Sequence, residues 1–412
     1  MRPATIERVV VTGVGIVSPI GHDVRSVAEA LRAERSGIRA VTAWREIEGL
    51  TSHVAGLCEG LDLQAAIPRK YRRSMGRVAQ LASVATGRAI EDAGLDPALV
   101  SGGRVGLAVG STTGSPASTL DYYANILGPG VRANKSTGFL QVMSHTCAAN
   151  VALAYGIHGR VWAPSSACTS GSQAIGLGYE TLRAGLHDIM LCGGAEEVHY
   201  TTAATFDLVG AASSRYNDRP QETPRPFDVD RDGLAVGEGA GMLVLERFEH
   251  ARARGAKILG EVIGFANTCD GEHITSPSPT SMASCMREAL ASAALTPQDV
   301  DYVNAHATGT EIGDIAEAQA TASILGDRVP VSSTKGYVGH TLGACGAIES
   351  IFALLMIQHG FVAPTLNLRE VDPRCQGLWH VQAPMSRELQ VVMNNNFAFG
   401  GINTSLLFRA PA

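Results

Sequence analysis

AIEDAGLDPALV at residues 89–100 and ALASAALTPQDV at residues 289–300 are one pattern written twice. The two stretches share Ala89/Ala289, Ala93/Ala293, Leu95/Leu295, Pro97/Pro297 and Val100/Val300. Each reads as a helix tail, then a turn carrying proline, then a strand, at 105–109 in the first case and 302–305 in the second. Each strand runs into a loop of small residues, GSTTG at 110–114 and HATGT at 306–310. Repetition of a whole series of elements predicts a duplicated half-domain, with the functional site where the halves meet.

The same alternation extends outward. Apolar, mostly β-branched runs at 9–12, 189–192, 242–245, 302–304 and 329–332 read as strands. Between them, Ile175, Gly178, Tyr179 and Leu182 follow helical spacing, as do Ile348, Ile351, Phe352 and Leu355. Continuous apolar strands separated by helices predict an α/β fold with its sheets covered on both faces. A length of 412 residues suits two or three units. Only 17% of residues are charged, against a usual share of about 25%, so much surface is hidden in a large core or between subunits.

Several classes fall away. A net charge of −6 argues against a protein-wide nucleic-acid surface. The eight cysteines contain no C-x-x-C, so zinc-ribbon and thioredoxin motifs are absent, and a reducing, cytoplasmic setting is expected. The opening MRPATIERVVVTGVGIVSPIG carries Glu7 early and glycines within its apolar stretch, which favours strand and turn over a signal peptide. No uninterrupted apolar run approaches the length of a membrane span. GVGIVS lacks the third glycine of a dinucleotide fingerprint. DVDRDG at 228–233 imitates a calcium loop, but its twelfth position is Gly239.

Four stretches carry chemistry. PSSACTSGSQAIG at 164–176 sets Cys168 just before a helix, where the dipole is expected to lower the thiol pKa and backbone N–H groups can hold an oxyanion. On its own the stretch leaves a nucleophile and an inert buried cysteine both open. NAHATGTEIGD at 304–314 places His306 at a strand end, and SSTKGYVGHTLGACGAIES at 332–350 places Lys335 and His340 around a tight loop ahead of Glu349. NNNFAFGGINTSLLF at 394–408 sets Phe397 and Phe399 beside the flexible pair Gly400–Gly401. Strand ends facing loops of Gly, Ser and Thr are where α/β folds bind ligands.

In this order, with the opening VVVTGVGIVSPIG ahead of them and SRYNDRP (214–220) and RPFDVDRDGLAVGEGAG (225–241) between them, these stretches resemble the β-ketoacyl-ACP synthases over essentially the whole chain. These are the condensing enzymes of fatty-acid and polyketide synthesis. The resemblance implies a thiolase-like fold: two pseudo-symmetric α/β halves (1–256 with the cysteine, 257–412 with the histidines) in an α-β-α-β-α core. It also implies a homodimer, no cofactor and no metal. By the same resemblance Cys168 carries the acyl group, and its N–H and that of Phe399 form the oxyanion hole. Phe399, next to Gly400, is the gate. His306 and His340 bind the malonyl thioester, Lys335 holds the network, and Asp314, Glu317 and Glu349 are supporting acids. Phe206 lines the acyl channel. The basic run IPRKYRRSMGR at 67–77 stands out in an acidic protein. A solvated helix face accounts for such runs, and so does docking of the acidic acyl carrier protein, through Arg69, Lys70 and Arg73, with Arg132 and Lys135 beside them.

The implied reaction is decarboxylative condensation of an acyl thioester with malonyl-ACP, in fatty-acid elongation. A stand-alone polyketide ketosynthase, a catalytically silent chain-length subunit and a cysteine hydrolase are the alternatives. The chain departs from the family's F-G-F-G-G-T-N at Ala398 and Ile402. Ala398 is expected to stiffen the hinge slightly. Cys345 stands where alanine is common, and a small buried residue is the expected role.

Overall fold

The computed structural model describes residues 7–411; the first six residues of the opening stretch lie outside it. The strands of its main sheet are β1 (Val9–Val17), β2 (Val105–Gly110), β3 (Val161–Trp162), β4 (Ile189–Glu196), β5 (Gly239–Arg247), β6 (Gly260–Cys269), β7 (Tyr302–Asn304), β8 (Pro330–Ser332), β9 (Trp379–His380), β10 (Val391–Phe397) and β11 (Ile402–Arg409). The helices that matter to the site are α1 (Arg77–Asp92), α2 (Ser170–Arg183), α3 (Pro279–Ser292), α4 (Glu311–Leu325) and α5 (Cys345–His359).

The eleven strands run in the order β9-β8-β7-β10-β11-β6-β1-β5-β4-β2-β3. From β1 outward, two antiparallel pairings are followed by two parallel ones. From β6 outward the sequence of pairings is the same: β11 and β10 antiparallel, β7 and β8 parallel. The halves join through a short antiparallel contact, Val9–Val11 against Gly260–Val262. The repeated sequence pattern lands on equivalent elements. Residues 89–92 end α1 as 289–292 end α3, and the prolines open short turns ahead of β2 and β7.

Three apolar clusters fill the layers. One, with Ile175, Tyr179, Ile348 and Ile351, lies around α2 and α5 in the middle. The others lie beneath α1 and α3 on the outer faces. The segment Leu342–His359 is apolar enough to cross a membrane, with mean hydropathy 1.4, yet 89% of it is buried inside the protein as this central helix. Its apolarity reflects burial on every side.

Helices α2 and α5 pack together at the pseudo-twofold. Both are entered through the same turn. Ala167 and Leu342, each three residues before its helix, adopt left-handed backbone (φ 49° and 45°). The close approach demands glycine. A Cβ on Gly171 would meet the Gly343 carbonyl at 2.7 Å, and one on Gly346 would meet the Ser172 nitrogen at 2.8 Å. Gly171→Val is therefore expected to destabilise the fold by about 2 kcal/mol or more through overpacking against backbone. Urea unfolding measures this, and an unchanged midpoint would contradict the crossing geometry.

Candidate functional site

The turn before α2 delivers Cys168 to the floor of a cavity of about 400 Å³. The turn before α5 delivers His340, whose Nε2 stands 2.9 Å from the Cys168 sulfur. His306 leaves the end of β7, its ring 5.1 Å from that of His340 and nearly perpendicular to it. All three are buried. Residues 138 and 34 positions apart thus converge on one point, as the sequence reading required.

Burial sets the electrostatics. It pushes the Cys168 thiol up to about 12, against the opposing pull of Lys335 and of the Cys168 and Phe399 backbone N–H groups. This corrects the expectation of a lowered thiol pKa: at a buried helix start, desolvation exceeds the dipole. Burial and the Lys335 charge also hold both imidazoles well below their ordinary range, with His340 adding to the effect on His306. The resting site is a neutral thiol beside two neutral rings.

Lys335 opens the short helix Lys335–Val338 and is fully buried. Burial works against its ammonium, and the Glu349 carboxylate in direct contact more than offsets it. Its Nζ also lies 3.4 Å from His306 Nδ1. Asn396, at the end of β10, donates to the other Glu349 oxygen at 2.7 Å and reaches His306 Nδ1 at 3.5 Å. Lys335 and the Asn396 amide nitrogen are donors only, so these contacts suit an Nδ1 that accepts. His340 Nδ1 has no partner among the described residues.

The other acids act on backbone. Glu317 accepts from the N–H groups of His306 (2.8 Å) and Ala307 (2.6 Å), and burial raises it to about 8. Asp314 accepts from Phe227 and Gly309 and is raised by burial to about 6. Both lie on α4 and pin the loop that carries His306; neither touches the sulfur or the rings. Phe206 is buried between His340 and Phe399, with ring centroids at 6.4 and 5.9 Å. Phe399 is 40% exposed at the cavity mouth. Gly400 supplies a left-handed turn (φ 85°), and its N–H is taken by the Ile274 carbonyl at 2.8 Å, so it serves the turn and not the oxyanion position. Cys345 is buried, its thiol donating to the Cys168 carbonyl at 3.2 Å.

Sequence reading passed over three contributors. Glu196, at the end of β4, gathers the N–H groups of Thr112, Thr113 and Gly343 and so ties the loop after His340 to the loop after β2. Arg231 holds the carbonyls of Thr310 and Glu311 at the cavity mouth while paired with Asp372. Asn396 is the third. For Glu196 and Asn396 the signal was present: an acid closing the apolar run IMLCGGAE, and three amides in the strand VVMNNNF.

Residues 6–251 match the model for the β-ketoacyl synthase N-terminal domain, and 259–369 match that for its C-terminal domain. The chain belongs to the β-ketoacyl synthase family. As a member of that family it is a condensing acyltransferase. The Haemophilus influenzae protein named 3-oxoacyl-[acyl-carrier-protein] synthase 1 is 39% identical over 98% of this chain and 99% of its own length. The crystal structure of a β-ketoacyl synthase from Burkholderia phymatum is 46% identical with a TM-score of 0.96, covering 98% of this chain and all of that one. A type II polyketide ketosynthase, solved in complex with its acyl-carrier protein, is 32% identical with a TM-score of 0.88, covering 99% of this chain and all of that one. The thiolase-like fold implied by the resemblance goes with these neighbours and with the repeated halves.

The expected basic cluster is only partly assembled. Arg69, Arg73 and Lys135 line one surface hollow of about 460 Å³, together with Arg72. Lys70 lies over the Tyr71 ring, and Arg132, on the short turn Val131–Ala133, is exposed outside the hollow. Among the described residues, none of these five expected cations is paired with an acid.

A neutral thiol predicts a particular pH dependence. Alkylation of Cys168 by iodoacetamide, followed by peptide mass mapping, should accelerate about tenfold per pH unit between about pH 7 and pH 9. A rate already level at neutral pH would instead mean a preformed thiolate–imidazolium pair.

Proposed function

We propose that the protein is an elongating β-ketoacyl-ACP synthase of fatty-acid synthesis, with Cys168, His306 and His340 as its reacting groups and malonyl-ACP as its extender. The 2.9 Å contact between a buried thiol and a neutral imidazole, with a second neutral imidazole against the first, carries this reading. The Cys168 sulfur attacks the carbonyl of the incoming acyl thioester. His340 Nε2 takes the thiol proton, the ring releases one to the departing carrier thiolate, and the N–H groups of Cys168 and Phe399 stabilise the oxyanion. The malonyl thioester then places its carbonyl oxygen against the two rings. Loss of CO₂ leaves an enolate whose charge meets the Nε2–H of His306, a donor that gains strength only as it forms. The enolate carbon attacks the acyl carbonyl, and the Cys168 thiolate departs and takes up one proton from solvent.

The two-histidine arrangement gives both rings a task, which hydrolysis would not. A nucleophile in working contact with a base is what a silent subunit lacks. Identity of 39% to a 3-oxoacyl-[acyl-carrier-protein] synthase, against 32% to the polyketide enzyme, supports fatty-acid elongation over a stand-alone polyketide role. A cytoplasmic location belongs to the same reading, as does the division into halves at 256/257, which the repeated strand order supports. A homodimer is supported by the sheet's outer strand β3, paired on one side and exposing Val161 and Trp162.

Incubation with acyl-ACP and malonyl-ACP, read by mass spectrometry, tests the roles. Cys168→Ala should form no acyl adduct. His306→Ala should still acylate but decarboxylate malonyl-ACP at least about 100-fold more slowly. Loss of the adduct with decarboxylation preserved would reverse the assignment. For docking, Arg73→Glu should raise KM for the carrier-bound substrate about tenfold and leave a small acyl thioester unaffected. Equal effects on both substrates would remove Arg73 from the docking surface.

A further inference from the structure

The Cys168 sulfur and one ring nitrogen from each of His306 and His340 lie within 4.8 Å of one another. Tetrahedral zinc takes thiolate and imidazole ligands at about 2.0–2.3 Å, which sets its ligand atoms about 3.5 Å apart. A small rotation of the three side chains would close that difference, and the cavity supplies an entry path. By donor type and spacing, the centre has the makings of a trap for a soft divalent cation. Such an ion would occupy the thiol and both rings that the reaction needs free.

One proton stands in the way. A histidine holds a metal through the lone pair of one nitrogen, and its other nitrogen then carries hydrogen and needs an acceptor. The nitrogen of His306 turned away from the cavity, Nδ1, faces Lys335 Nζ at 3.4 Å and the Asn396 amide nitrogen at 3.5 Å. These are long contacts, but neither group has a lone pair to offer a hydrogen on Nδ1. Nor can Asn396 invert its amide. Its nitrogen is anchored on Glu349 at 2.7 Å, and inversion would set oxygen against carboxylate oxygen. The Glu349 carboxylate holds the Lys335 ammonium as well.

We propose that Lys335 and Asn396 lock His306 in its Nε2–H form and thereby keep zinc-like cations out of the Cys168–His306–His340 trio. Metal exclusion follows from the donor geometry alone. The companion consequence, an N–H kept aimed at the enolate oxygen, rests on the reaction proposed above. Asn396 is thus a positioning residue acting through His306.

Cobalt(II) titrated into the full-length protein reads the lock through thiolate-to-cobalt absorption. The wild type should show none at one equivalent. Asn396→Asp, whose oxygen beside Glu349 would carry a proton shared with that carboxylate, still offers Nδ1–H a lone pair, and should bind cobalt at least about tenfold more tightly. That band should vanish when Cys168→Ala is added. Lys335→Met, which removes one donor, should tighten binding in the same direction and serves if the aspartate variant does not fold. Nitrogen NMR of labelled histidine in the wild type should find the His306 proton on Nε2. Wild-type cobalt binding as tight as in the variants, or a proton on Nδ1, overturns the proposal. So does absence of binding in both variants while Cys168 still alkylates at the wild-type rate. Failure of the condensation assay with the lock intact would count against the reaction and not against the lock.

Discussion

Two helices begin at the same point in space, with no side chain between them. Gly171 lies against Gly343 and Ala347, Gly346 against Ser172, and Gly194 against the Gly343 carbonyl. This crossing fixes the rest. It brings the turns before α2 and α5 together, so a cysteine on one turn and a histidine just ahead of the other meet although they are far apart in the chain. It also buries the thiol at the cavity floor. The thiol therefore remains protonated, and in the proposed reaction a neighbouring imidazole accepts its proton.

A centre of neutral groups needs a means of staying neutral. The buried Lys335–Glu349 pair provides it. Isolated charges at this depth would be costly, but each partner compensates the other and Asn396 satisfies the remaining carboxylate oxygen. The positive end then disfavours protonation of both histidines. The same pair orients the amide that faces His306 Nδ1. Around it, Glu317, Asp314, Glu196 and Arg231 spend their charge on backbone N–H and C=O groups, so the loops that carry the reacting groups are held by the scaffold.

What the sequence disclosed follows from what is local. The duplication was legible because helix tail, proline turn and strand are each short-range patterns. Strand existence was legible and strand length was not. The run at 9–12 continues through Gly13 and Gly15 to Val17, because those glycines fit where the α1 backbone presses on β1 and would admit no Cβ. Convergence of Cys168, His306 and His340 was reached only through resemblance, since spacing along a chain carries no distance in space. The thiol was misjudged for a related reason: a helix start can be read from residues, whereas the depth at which it is buried cannot. Glu196 and Asn396 were passed over because an acid or amide at a strand end looks like the onset of a surface loop.

The departures in FAFGGIN show how a family pattern can change without loss of its geometry. Within this turn, glycine is called for where φ is left-handed. Here that condition falls on Gly400 and Gly401, at φ 85° and 72°, and not on Ala398. Ala398 keeps its N–H on the Ile402 carbonyl and lays its methyl on the cluster containing Cys168 and Phe206. An alanine at this position adds apolar contact beneath the Phe399 turn and restricts the open alternatives of that segment. Ile402 stands at the first residue of β11 opposite Cys269, where a β-branched side chain suits the strand. The turn keeps its two left-handed glycines, so if Phe399 gates the site as the family resemblance implies, these substitutions bear on that gate, while the thiol and its two rings keep the positions that the helix crossing assigns them.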